Sequence, residues 1–131
     1  WLLPQASAID LLLTVPLHPT RIRERGFNQS EQLASVLGKQ LYLPIARTAL
    51  RRALKTERHR AGMDFQQRAK SLAGAFSITA PRLLAGRTIL LLDDVMTTGS
   101  TAHEIATTLL NNGAQAVHVL TLARAVTHFS S

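Results

Sequence analysis

Two adjacent carboxylates, Asp93 and Asp94, stand between the apolar run Thr88-Ile89-Leu90-Leu91-Leu92 and the stretch Val95-Met96-Thr97-Thr98-Gly99-Ser100-Thr101, which is rich in hydroxyls and contains one glycine. Glycine lets backbone come close to a ligand. Amides at a turn that opens a helix point at an anion, and the helix dipole favours negative charge there. Thr97, Thr98, Ser100 and Thr101 add hydroxyl donors to such a cradle. The carboxylates beside it are suited to accept hydrogen bonds from vicinal sugar hydroxyls, directly or through a divalent cation. A ribose 5-phosphate matches both halves. The segment is neither a Gly-x-x-x-x-Gly-Lys-Ser/Thr loop nor a Gly-x-Gly-x-x-Gly turn, and neither pattern occurs in the chain.

The second group of candidates is cationic. Residues 21–70 carry twelve of the fifteen Lys and Arg but four of the eight acids, so this segment alone is +8 and the rest of the chain slightly acidic, for a formal net charge of +7. Clustered cations raise the local concentration of anions and speed their capture, which suits a polyphosphate ligand or a nucleic acid; a solvated basic face is the bland alternative. Among the histidines, His18 follows a strand at the expected ligand edge and is a candidate contact. His103, His118 and His128 read as surface residues. Phe27, Phe65 and Phe76 read as packing residues, and an aromatic content of 5% gives little support to base stacking.

Positioning these groups requires strands that end where helices begin. Leu11-Leu12-Leu13-Thr14-Val15, stopped by Pro16, has the pattern of a strand buried on both faces. Asn28 with Glu31 predicts a capped helix over about 28–41, its apolar face formed by Leu33, Val36, Leu37 and Leu41. Residues 45–52 suggest a strand, the charged stretch 51–70 a mobile loop with a short helix near 64–72, Ala75–Ile78 a strand, and Pro81–Gly86 a turn. The run 88–92 predicts a strand that stops at the two acids. Thr101 and Glu104 suggest a capping box for the next helix, in which Ala102, Ile105, Ala106, Leu109 and Leu110 share a face, and Asn111-Asn112-Gly113 is its stop. Ala116–Leu122 completes a strand-helix-strand unit with parallel strands. The fold class is α/β.

Residues 89–101 resemble the signature that binds 5-phosphoribosyl-1-pyrophosphate (PRPP) in type I phosphoribosyltransferases: an apolar strand, two acids, two aliphatics and a Thr/Gly/Ser-rich loop. The resemblance implies a mainly parallel central sheet flanked by helices, with a mobile basic hood. It implies that Asp93 and Asp94 bind the ribose hydroxyls and Mg2+, and that Val95 and Met96 through Thr97, Thr98, Gly99, Ser100 and Thr101 bind the 5-phosphate. By the same resemblance Arg21, Arg23 and Arg25, with Arg52, meet the pyrophosphate, and Arg51, Arg52, Lys55, Arg58 and Arg60 belong to the hood. The reaction implied is displacement of pyrophosphate from ribose C1 by a nitrogen nucleophile. Purine-salvage members have an Asp where Thr97 stands, and threonine is no general base near neutral pH without activation. The hypoxanthine-guanine type is therefore disfavoured.

A second resemblance is narrower. Val15-Pro16-Leu17-His18-Pro19, followed by Arg21, Arg23 and Arg25-Gly26-Phe27-Asn28-Gln29, is similar to the hallmark of the competence protein F (ComF), or GntX-like, group; Arg68 and Gly74-Ala75-Phe76 match its middle region. Ser71 replaces the group's usual Asn and His59 a common Gln. Members usually carry a cysteine-rich, zinc-binding N-terminal segment, whereas this chain has no cysteine, hence no thiolate site for zinc, and starts at Trp1. The expectation is one domain over 1–131, part of a longer protein. The group implies a link to natural competence and DNA uptake, with single-stranded DNA or competence proteins as further partners, and a non-catalytic PRPP sensor or DNA-binding module as the alternative to an enzyme. Zero cysteines and no apolar run approaching ~18 residues fit a cytoplasmic protein without membrane insertion.

Overall fold

The computed structural model describes residues 8–16, 23, 26, 28–52, 74–96 and 99–124. Three strands, β1 (Leu11–Thr14), β4 (Thr88–Met96) and β5 (Ala116–Arg124), form a parallel sheet in the order β1-β4-β5. Beyond β1, Ile45 forms an isolated parallel bridge with Leu12; the Leu12 amide donates to Pro44 O at 2.9 Å and the Ala46 amide to Leu12 O at 3.0 Å. Two short strands, β2 (Leu50–Arg52) and β3 (Phe76–Ile78), form a separate antiparallel ribbon. The region 45–52 thus divides between the sheet edge and the ribbon. Residues 53–73, with the expected loop and short helix, lie outside the described residues.

The central apolar runs are buried on both faces because helices cover both. Leu90 and Leu92 pack with Ala34 of helix α1 (Gln29–Leu41), while Ile89 and Leu91 pack with Ile105 and Leu109 of helix α3 (Ser100–Asn111). Phe76, Leu50 and Leu84 join the second cluster, so the ribbon sits on the α3 side. Each fully buried Leu or Ile contributes about 1.5–3 kcal/mol relative to exposure. The α/β class and the parallel pairing of β4 with β5 follow the expectation.

Four local readings need correction. The fully buried stripe of α1 is Ser30, Ala34 and Gly38, with Leu33 and Leu37 half-buried beside it and Val36 53% exposed. Small residues win because the helix lies close to its neighbours: a Cβ on Gly38 would stand 3.1 Å from both Ile45 Cδ1 and Leu43 O. The expected turn at 81–86 begins as a short helix, α2 (Pro81–Leu84), since proline at the first helical position gives up no intrahelical hydrogen bond. Strand β4 runs on through both acids to Met96, because β5 continues to pair with it after β1 has ended. Helix α3 starts at Ser100 with Gly99 as its cap, so Thr101 lies inside the helix and forms no capping box.

Candidate functional site

The carboxyl ends of β1 and β4 do not coincide. The last β1 pair is Thr14 with Leu92, and the Val15 amide adds one more rung, donating to Leu92 O at 3.0 Å. Beyond it β4 pairs with β5, Asp93 opposite Thr121, Val95 opposite Ala123 and Met96 opposite Arg124. The acids therefore lie on an overhang, where β4 has lost one neighbour and kept the other. Ligands of open parallel sheets bind at such carboxyl edges. Alternation along the strand puts Asp93 on the face of Ile89 and Leu91, the face that α3 covers. Asp93 is half-buried; the side chains of Asp94, Val95 and Met96 lie outside the described part.

Three residues after β4, Gly99 adopts φ 80° and ψ 0°, the left-handed conformation that glycine takes without penalty, and α3 begins. The His103 amide donates to Gly99 O at 2.8 Å, closing the first turn. Gly99 offers no side chain to cap the helix start. Ser100 is buried, and Gly99 and Thr101 are half-buried. The fold thus brings Asp93, Gly99, Ser100 and Thr101 to one edge of the sheet, while Thr97 and Thr98 lie outside the described residues. The anchoring is firm: behind this start, Ile105 and Leu109 are fully buried against the sheet.

Helix α1 opens at the same edge. Its cap, Asn28, accepts from the Ser30 amide through Oδ1 at 3.0 Å and donates from Nδ2 to Val15 O at 3.3 Å. The side-chain cap bond goes to Ser30, the second helical residue; the Glu31 amide donates to Asn28 O at 3.1 Å. The sequence gives Asn28 a capping role and a place in the Arg25–Gln29 hallmark, and the link to Val15 appears only in the fold. A carboxamide at a cap, where a hydroxyl or carboxylate would serve, was the available signal.

The remaining candidates are dispersed. Arg23 is exposed; Arg21, Arg25 and His18 lie outside the described residues. Arg52 ends β2 directly across from Phe76, with its guanidinium carbon 5.5 Å from the centre of the Phe76 ring, a cation–π contact. Phe76 itself is a core residue, as expected. His103 is exposed on α3, whereas His118 is half-buried in β5 opposite Leu90, less accessible than a surface reading implies. Phe27, Phe65 and His128 are outside the described residues. Among the described residues, no helix is long and apolar enough to cross a membrane.

Residues 7–127 match the model of the phosphoribosyl transferase domain. The chain belongs to this family. The phosphoribosyl transferase domain is 39% identical over 115 residues to the DNA utilization protein YhgH of Escherichia coli (strain K12), covering 88% of this chain and 49% of the relative. It is 35% identical over 122 residues to competence protein F of Haemophilus influenzae, covering 92% and 53%. Competence protein ComFC of Bacillus subtilis is 34% identical over 115 residues, covering 87% and 44%. The chain thus spans about half the length of these relatives, and the resemblance to the competence protein F group holds. Glutamine PRPP amidotransferase of Bacillus subtilis shares the fold, with a TM-score of 0.60 at 20% identity over 91% of this chain and 23% of that one.

Proposed function

We propose that this phosphoribosyl transferase domain binds PRPP at the β4 overhang and passes its ribose 5-phosphate to a nitrogen acceptor with release of pyrophosphate. The observation that carries the reading is the pairing of an acid on the overhanging strand with a helix start capped by a left-handed glycine. Asp93 and Asp94 accept hydrogen bonds from the ribose hydroxyls. Val95, Met96, Thr97, Thr98, Gly99, Ser100 and Thr101 surround the 5-phosphate, and Arg21, Arg23, Arg25 and Arg52 offset the charge of the departing pyrophosphate.

The donor set fits Mg2+ carried in with its ligand. Mg2+ is normally held by one or two carboxylates together with substrate phosphates, and Asp93 and Asp94 supply two adjacent carboxylates. Asp93 and Asp94 would hold it there, and it would supply positive charge beside the pyrophosphate oxygens. The acid pair orients the sugar, and the cations lower the cost of separating charge as positive character develops on the ring.

Calorimetry with PRPP and Mg2+, paired with an assay of pyrophosphate release across a panel of bases and amines, tests the proposal. Wild-type protein should bind PRPP. Replacing both acids, Asp93→Asn with Asp94→Asn, should weaken binding on the order of 100-fold or more, since hydrogen bonds to charged groups are each worth about 1.5–3 kcal/mol. No PRPP binding by the wild type would end the reading; binding without release across the panel would favour a PRPP sensor. The relatives' names, which concern DNA utilization and competence, favour a second reading in which the basic segment, including exposed Arg23, Arg47 and Arg51, holds single-stranded DNA during uptake. Its affinity should fall steeply with salt and survive loss of the two acids.

A further inference from the structure

The segment between β1 and α1 carries Arg21, Arg23 and Arg25, and its two ends are fastened to each other. Val15 is the last residue of the β1 ladder and Asn28 is the cap of α1; Asn28 Nδ2 donates to Val15 O at 3.3 Å. The two residues are thirteen apart in sequence. The Val15 amide, in the preceding peptide unit, donates to Leu92 O at 3.0 Å, and the residue after Leu92 is Asp93. A chain of hydrogen bonds therefore runs from the end of the arginine-bearing segment, through the end of β1, to the root of the acid pair.

The chemistry of this link calls for asparagine. Its Oδ1 is occupied as the acceptor that caps α1, from the Ser30 amide at 3.0 Å, so the tie to Val15 needs a donor on the same group. Aspartate supplies the acceptor without the donor. Serine and threonine cap helices well, but their hydroxyl sits on Cβ, one bond short of the amide nitrogen's reach, and a single hydroxyl cannot hold both partners at once. An ordinary helix cap needs none of this, and the residue is half-buried at the carboxyl edge of the sheet.

We infer that Asn28 is a positioning residue: it clasps the two ends of the arginine-bearing segment and registers that segment against Asp93 and Asp94. The inference rests on the PRPP reading for its functional half. In PRPP the pyrophosphate and the ribose hydroxyls occupy neighbouring carbons, so the groups that hold them must be fixed relative to each other. A shift of the segment would cost affinity for the pyrophosphate end and leave the 5-phosphate end untouched.

Two variants of the protein separate clasp from cap. Asn28→Ser retains a neutral cap and loses reach; Asn28→Asp retains shape and cap and loses the donor. The first readout needs no ligand: limited trypsin digestion followed by mass spectrometry. Both variants should be cut several-fold faster after Arg21, Arg23 and Arg25, with melting temperatures close to wild type; unchanged cleavage in both overturns the clasp. The second readout is calorimetry with PRPP and Mg2+ beside ribose 5-phosphate. PRPP should weaken about tenfold in both variants, the size of one net hydrogen bond, with ribose 5-phosphate within about twofold of wild type. Equal loss of both ligands overturns the positioning role, as does weakening confined to Asn28→Asp, which would be charge repulsion. Faster cleavage in variants of a protein whose wild type binds neither ligand would support the clasp and overturn the PRPP reading.

Discussion

Helices α1 and α3 hold corresponding places, each following a strand of the parallel sheet and covering one of its faces, yet they are assembled differently. Helix α1 packs through Ser30, Ala34 and Gly38 and is closed at its start by the Asn28 side chain. Helix α3 packs through Ala102, Ile105 and Leu109 and starts on a glycine that has no side chain to offer. A small-residue stripe allows close approach, and a side-chain cap satisfies an amide within the protein. A start on left-handed glycine, backed by large buried side chains, holds the helix in place while leaving its cap position to backbone alone. Under the proposed PRPP reading, α1 fixes the geometry of the edge and α3 presents its start toward the ligand.

The largest effect should come from breaking the anchoring of α3. Leu109→Ala removes a fully buried side chain from the cluster that joins α3 to Ile89 and Leu91, and chemical denaturation should show a loss of about 2–5 kcal/mol. A loss below about 1 kcal/mol would mean that α3 is not held by this face. A smaller effect tests the glycine start: Gly99→Ala forces an L-residue to φ 80° and should cost roughly 1–2 kcal/mol by the same denaturation. PRPP affinity should fall with it. Unchanged affinity in a destabilised variant would detach this helix start from the ligand. The smallest concerns the capping box that the structure lacks. With Gly99 as cap, Glu104 stands beyond the first turn of α3, so Glu104→Ala, which removes the acceptor a capping box needs, should change stability by under about 0.5 kcal/mol. A loss above 1 kcal/mol would restore Glu104 to a capping role.

How far the sequence could be read depended on whether the deciding forces were local. The apolar runs of β1 and β4 declared strands buried on both faces, and the stop at Asn111-Asn112-Gly113 fell where α3 ends. The face of α1 was misjudged because Val36 satisfies helical periodicity as well as Ala34 does. At Gly38 it is the distance to Ile45 and Leu43 that leaves no room for a side chain. The end of β4 was misplaced for a related reason: carboxylates suggest a strand end, but a strand stops where pairing stops, and β5 continues to Arg124. The roles given to Arg21, Arg25, Thr97 and Thr98 fall on positions outside the described residues, so they stand on resemblance and on the proposed chemistry.

By itself the sequence determined the long central strands and the two long helices, the α/β class and the chemical character of residues 89–101, since these follow from side-chain periodicity and from donors and acceptors along a short stretch. Tertiary structure decided that β4 overhangs β1, that Gly99 caps α3 in place of Thr101, and that Asn28 reaches Val15 thirteen residues away. Each of these depends on which segments end beside one another, and the lengths of paired strands and the reach of a side chain across a loop are set only when the sheet assembles.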